Sequence, residues 1–244
     1  MLRAGKILDA LAAGPPSATL ASLSRRLGFP RSSTLALCNS LVEIGLLVRD
    51  PDGSYRLGPH TLDLSRSFLQ QTDLPTEFQR AVAELGLLAE QTLVCGVLRG
   101  RDVVYIGRRT GTSALAISYE IGMRLPAHCT ASGLAMLSCL SDSQLGELYA
   151  DGDLERLTER SIGTTAELHE RLATVRERGH AIDDEETAAG MVCVGVPVRD
   201  GGGPAAGAVA VSMPKGAQPQ HRLADIAGQL QRISDAIARG LGAP

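Results

Sequence analysis

Apolar residues recur at helical spacing from Lys6 to Ala13, where Ile7, Leu8 and Leu11 share a stripe, and Gly14-Pro15-Pro16 ends the element because proline cannot continue it. Ser17 or Thr19 is placed to cap a second helix, in which Leu20, Leu23, Ser24 and Leu27 line one face and Ser22, Arg25 and Arg26 the other; Gly28 stops it. After Phe29-Pro30 the spacing predicts a third helix, capped by Ser32 or Ser33 and closed by Gly45. Leu37, Cys38, Leu41, Val42 and Ile44 form its buried stripe, leaving Ser32, Ser33, Leu35, Ala36, Asn39 and Glu43 outside. Helix, short turn, helix is the arrangement in which the second helix enters a DNA major groove with its N-terminal residues toward the bases. Leu46 to Val48, an Asp50-Pro51-Asp52-Gly53 turn and Tyr55 to Leu57 then predict a hairpin wing, with Arg49 and Arg56 at its base to pair phosphates.

Further along, Gly58-Pro59 opens a helix through Leu62, Leu64, Phe68 and Leu69, and Leu74-Pro75 opens another reaching about Gln91. The apolar positions Phe78, Val82, Leu85 and Leu88 suit a dimer seam, and a two-fold protein presents two heads to two half-sites. Strands are expected over Leu93 to Leu98, Val103 to Arg108, Leu115 to Tyr119, Met191 to Val198 and Ala206 to Ser212. Between them come helices over Thr130 to Leu140 and Asp142 to Tyr149, and a third opened by the capping box Thr164-x-x-Glu167 and ended at Gly179. Gly201-Gly202-Gly203 is read as a hairpin turn, and a C-terminal helix buries Leu223, Ile226, Leu230, Ile233 and Ile237. Strands before and after a helical middle imply an α+β fold built on a mainly antiparallel sheet.

Composition narrows the function. With 44% apolar and 21% charged residues in 244, the chain has material for two globular cores. No run approaches the ~18 apolar residues of a membrane span, and no apolar segment precedes the first helix, so a cytoplasmic protein without a membrane partner is expected. Five scattered cysteines without a C-x-x-C pair give neither a disulfide framework nor a zinc ribbon. The net charge of −3 conceals an asymmetry: residues 1–70 hold eight basic and five acidic side chains, a net of +3, and the remainder sixteen and twenty-two, a net of −6. A basic head on an acidic body fits a polyanionic partner for the head alone.

The head resembles the winged helix-turn-helix of IclR-type bacterial transcriptional regulators, carrying the turn Gly28-Phe29-Pro30-Arg31-Ser32 and the wing end Tyr55-Arg56-Leu57-Gly58. The body resembles the effector-binding half of that family, a domain similar to GAF folds, through Leu125 to Leu137, Gly179 to Val198 and Ala208 to Pro214. The resemblance implies a winged DNA-binding domain over 1–60, a linker helix over 61–75 and an effector-binding and oligomerisation domain over 76–244. It implies double-stranded operator DNA, a small organic effector and a second copy of the chain, as dimer or tetramer, as partners, and no cofactor. Where relatives carry a recognition-helix arginine this chain has Ala36, which leaves Arg31, Ser32 and Ser33 to phosphate, Asn39 to a base edge and Leu35 or Ala36 to a thymine methyl, supported by Arg25, Arg26, Arg49 and Arg56. The effector pocket implied is formed by Thr130, Ala131 and Ser132 at a helix N-terminus, Asp183, Met191 and Cys193, and Ala210 and Ser212. Leu134 in place of the family's lysine and Ala210 in place of a serine make it more apolar, favouring a hydrophobic or aromatic acid.

Two other readings stand beside this one. A ligand-binding adaptor that no longer reads DNA is consistent with Ala36. A hydrolase or thiol enzyme would use Cys129 or Cys193, yet His128 and Cys129 are adjacent residues with no third orienting group, and no nucleophile elbow or spaced triad is present. A metal held by His128, Cys129 and Cys193 lacks any spacing pattern. Asp183-Asp184-Glu185-Glu186 reads as a solvated turn with one acid toward the pocket, and Arg108-Arg109 as a solvated strand end.

Overall fold

The computed structural model describes residues 1–70, 73–112, 114–115, 117–150, 152, 154–199, 204–216 and 222–242. The chain divides into two compact units, Met1–Gln71 and Thr72–Pro244.

In the first unit α1 (Leu2–Ala12), α2 (Leu20–Leu27) and α3 (Arg31–Glu43) precede the two-stranded wing β1 (Leu47–Arg49) and β2 (Tyr55–Leu57), followed by α4 (His60–Gln70). Thr19 accepts the Ser22 amide and Gly28 ends α2 in the left-handed conformation at φ 65°, the two end signals that bracket a helix of only eight residues. The third helix begins differently from expectation. Neither Ser32 nor Ser33 caps it; Pro30 is the N-cap, Arg31 is already helical, and Thr34 turns inward to donate its hydroxyl to the Pro30 carbonyl at 3.0 Å. Ile7, Leu11, Leu23, Cys38, Leu41, Leu47 and Tyr55 close the core, and backbone bonds between Ala18 and Tyr55 tie the wing to the helices. Ile44, placed by spacing in the buried stripe, is 57% exposed because α3 ends at Glu43 and the chain turns there.

The second unit is one six-stranded antiparallel sheet, in the order β5 (Arg124–Pro126), β4 (Asp102–Arg109), β3 (Thr92–Arg99), β8 (Gly207–Pro214), β7 (Met191–Val198), β6 (Ala181–Asp184). The helices α6 (Ala131–Leu137) and α8 (Thr165–Arg178) lie on one face, with α7 (Asp142–Leu148) beside them. The other face carries α9 (Leu223–Gly240) and α5 (Asp73–Leu85), which pack on each other. The Thr164–Glu167 capping box forms as spelled, and Gly179 ends α8 in the left-handed conformation. α6 sits so near the sheet that a Cβ at Gly195 would strike the Ala131 carbonyl, and one at Gly133 the Ala127 backbone. Only glycine admits that approach.

Several expectations are corrected here. α5 stops at Leu85, not near Gln91, because Gly86 and then Leu88 take positive φ. Phe78 and Val82 are buried within their own unit, so they are core positions rather than a dimer seam; their apolar stripe is satisfied by the sheet and α9. The described residues of 115–119 form no strand; Leu115, Ile117 and Tyr119 instead pack on the core, and the sheet edge is taken by β5. Asp183 and Asp184 lie on the unforeseen edge strand β6, and Glu186 is buried as well as Asp183, so a second acid of the run leaves solvent beside the one expected toward the pocket. Arg108 and Arg109 are not free: Arg108 donates to the Tyr119 carbonyl and Glu120, and Arg109 to the carbonyls of Leu87, Leu88 and Gln91. The Gly201-Gly202-Gly203 turn lies outside the described residues. Among those described, no helix is long and apolar enough to cross a membrane.

Candidate DNA-binding face and effector cluster

Burial of Thr34, Cys38 and Leu41 fixes the rotation of α3 and turns Ser32, Leu35, Ala36, Asn39, Ser40 and Glu43 to solvent. Helical spacing puts these six on one continuous face, so a single packing decision presents every side chain that sequence reasoning assigned to base edges. Arg31 stands exposed at the first turn and Ser33 is half-buried at the margin.

The supporting cations differ among themselves. Arg25 is exposed with no hydrogen-bond or ion-pair partner among the described residues, whereas Arg26 donates Nη1 to the Ala10 carbonyl at 2.9 Å, where α1 ends. Gly14 leaves room for that contact: a Cβ there would sit 2.6 Å from Arg26 Nη1 and 2.7 Å from the same carbonyl. In the wing, Arg56 pairs with Asp50 at 3.0 Å and Arg49 lies over the Tyr55 ring, 5.8 Å from its centroid. Arg26 and Arg56 are therefore engaged by the fold itself, a division of labour that identical arginine side chains do not announce in sequence.

The residues expected at the effector site come together around α6 and the sheet face beneath it. Thr130, Ala131, Ser132, Asp183, Met191, Cys193, Ala210 and Ser212 are each 3% exposed or less. Strand register aligns Asp183 with Cys193 and Cys193 with Ser212, a polar row across β6, β7 and β8. Cys193 donates to Ser212 Oγ at 3.3 Å, and Ser212 to the Tyr119 hydroxyl at 3.1 Å; the Tyr105 hydroxyl and Ser132 Oγ lie 3.4 Å apart. Tyr105 and Tyr119 meet edge to face with centroids 5.0 Å apart. These two tyrosines are the members of the cluster that sequence reasoning missed. Their signal was present: a tyrosine within an apolar strand must bury a hydroxyl and so needs a polar partner.

Thr130 caps α6 by accepting the Gly133 amide at 3.0 Å. The Asp183 carboxylate accepts the Glu186 amide at 2.7 Å, the Thr187 amide at 3.2 Å and the Thr187 hydroxyl at 2.5 Å, so it holds the β6–β7 turn as well as facing the cluster. Burial raises the Asp183 carboxyl above its ordinary value despite those bonds, and pushes Glu186 up to about 7 against the pull of Arg171. A cavity of about 660 Å³ opens elsewhere, between Arg178, Ile182, Val192, Lys215 and Leu223, and contains none of the expected effector residues.

Thiol chemistry finds no support in this geometry. Burial pushes the Cys129 thiol up to about 11 and Cys193 well above its ordinary value, keeping both protonated at neutral pH. His128 directs Nε2 to the Glu155 carbonyl at 2.8 Å. Among the described residues no three His, Cys, Asp or Glu side chains are grouped to hold a metal ion.

Known proteins agree with the two halves. The profile "IclR helix-turn-helix domain" matches residues 2–51, and "Bacterial transcriptional regulator IclR C-terminal" matches 66–239. The HTH-type transcriptional regulator XynR of Escherichia coli is 30% identical over 243 residues, covering 99% of this chain and 96% of its own. The crystal structure of the Agobacterium tumefaciens repressor BlcR superimposes with a TM-score of 0.67 at 35% identity, covering 100% of this chain and 97% of that one. An IclR homologue from Microbacterium hydrocarbonoxydans, solved with 4-hydroxybenzoate, shares the fold with a TM-score of 0.79 at 21% identity, covering 99% and 98%. Family members are transcriptional regulators. A winged head whose recognition helix is turned to solvent, a sheet-and-helix body, and matches spanning both place this chain in the IclR family, as a transcription regulator with a helix-turn-helix DNA-binding domain and a C-terminal effector-binding domain.

Proposed function

We propose that this regulator acts in the cytoplasm as a homo-oligomer, dimer or tetramer, that grips operator DNA through residues 1–60 and releases or tightens that grip when a small aromatic or hydrophobic acid enters residues 76–244, with 61–75 as the linker between them. The carrying observation is the continuous solvent face of α3 in a head with a net charge of +3. Arg25 and Arg31 contact phosphate, Arg49 adds a contact from the wing, and Ser32 and Ser33 fix register. The exposed Leu62 and Leu64 of α4, 72% and 51% exposed, supply apolar surface for a second copy in place of the buried Phe78 and Val82.

The effector reading rests on the closed cluster of Tyr105, Tyr119, Ser132, Cys193 and Ser212 among apolar neighbours, whose hydroxyls suit a carboxylate or phenol and whose rings suit an aromatic body. The 4-hydroxybenzoate held by the Microbacterium homologue has that chemistry. Because the cluster is filled and closed, the ligand takes the place of side-chain contacts, which couples its binding to a rearrangement of α6 and the 117–123 segment. A gel-shift titration against the protein's own upstream region is expected to show sequence-selective, salt-sensitive retardation, altered by 4-hydroxybenzoate or a related acid that also raises the melting temperature. Absence of retardation at low salt refutes the reading.

A further inference from the structure

The bases that α3 reads follow from what its exposed face carries, given that this helix enters the major groove as proposed above. We propose that each operator half-site is read through A·T base pairs: an adenine held by the Asn39 amide, and thymine methyls one or two base-pair steps away against Leu35 and Ala36, with no guanine fixed by the body of the helix.

Guanine is specified in the major groove by arginine or lysine at O6 and N7. Between Arg31 and Arg49 the chain contains no basic residue, so past its first position α3 has no such donor. The Asn39 side chain is exposed and has no partner among the described residues, which leaves its amide donor and acceptor for N6 and N7 of adenine. Ser40 does not compete, since it donates its hydroxyl to the Ala36 carbonyl at 3.2 Å, and Thr34 is turned inward to Pro30. Glu43 stands at the last residue of the helix, away from the N-terminal end that enters the groove. Leu35 and Ala36 precede Asn39 by four and three residues, about 4.5–6 Å along the axis at ~1.5 Å per residue. Against ~3.4 Å per base-pair step, this separation addresses pairs one or two steps apart.

The test uses the full-length chain to select duplexes from a random pool, then remakes the enriched duplex with deoxyuridine for single thymines and 7-deazaadenine for single adenines. Enriched half-sites are expected to hold A·T pairs at the two spaced positions. Deoxyuridine at the methyl contact should weaken binding about fourfold, and 7-deazaadenine at the Asn39 contact about five- to tenfold. Asn39→Ala should abolish the second effect and Leu35→Ala the first, while Ala36→Arg should shift selection toward guanine; all three positions are exposed, so the folded head is retained. Half-sites dominated by guanines and indifferent to Asn39→Ala and Leu35→Ala overturn the A·T assignment while leaving DNA binding intact. No enrichment at any salt concentration overturns the DNA-binding reading together with it.

Discussion

Arg25 and Arg26 are neighbours on α2, both exposed and both expected at phosphate, yet the structure gives them different work. Arg26→Ala removes a charged donor from the Ala10 carbonyl, one of the unpaired acceptors at the end of α1, and a cation from that helix's negative pole. A hydrogen bond to a charged group contributes about 1.5–3 kcal/mol. Water reaches this site once the side chain is gone, so the loss should fall near the lower end, about 1–2 kcal/mol. For a unit of this size that corresponds to roughly 5–15 °C in melting temperature. Hydrogen exchange of the full chain, followed in peptides from residues 1–70, reports the unit directly even if the two units unfold separately. Arg26→Ala should speed exchange in α1 and α2, with little change in the salt dependence of DNA affinity beyond that of destabilisation. Arg25→Ala should do the opposite, leaving exchange unchanged and reducing the slope of log affinity against log salt by about 0.9 for one phosphate contact. Unchanged exchange in Arg26→Ala together with a reduced salt slope would refute the assignment.

The second unit gives three further expectations. Ser212→Ala leaves the buried Tyr119 hydroxyl and Cys193 thiol without their shared partner and should cost about 1–3 kcal/mol in urea unfolding; unchanged stability would show the polar row to be dispensable. Phe78→Ala empties a fully buried ring site and should cost about 3–5 kcal/mol independently of protein concentration, whereas a loss seen only as concentration-dependent dissociation would restore Phe78 to a subunit interface. Glu186 titrates near 7 in the folded chain against 4.5 ordinarily, so the folded state binds more protons between these values and stability falls as pH rises from 4.5 through 7. Glu186→Gln should flatten that decline and be more stable than the parent at pH 8 by about 1–3 kcal/mol, the lost Arg171 ion pair offsetting part of the gain; parallel pH profiles for the two proteins would contradict it.

Legibility in the sequence followed how local the physics was. The end of α2 at Gly28, the Thr164 capping box and the wing turn were readable because each is settled by neighbours within a few residues. The start of α3 was misread since serines at a turn are good caps in general, whereas here the helix begins one residue earlier, at Arg31 after Pro30, and no side chain caps it. Edge strand β6 escaped notice because the run of four acids that begins on it at Asp183 and continues past its end mimics a solvated turn, and the amide donors that make Asp183 comfortable in the interior come from the turn that follows. The family motifs named most members of the buried polar cluster beneath α6, but Tyr105 and Tyr119 entered it through sheet packing and a segment that forms no strand.

By itself the sequence determined the helix-turn-helix and wing of the head, the long helices and central strands of the body, the basic and acidic balance of the two halves and the chemistry available on the recognition helix, for these depend on periodicity, capping and charge carried by contiguous residues. The tertiary structure decided which groups of like chemistry face solvent and which the fold engages: Arg25 against Arg26, exposed Leu62 against buried Phe78, surface acids against the interior Asp183 and Glu186. The physical reason is that a side chain's partners are supplied by elements distant in the chain, and only when those elements meet is it settled whether a charge or an apolar surface faces water or its own protein.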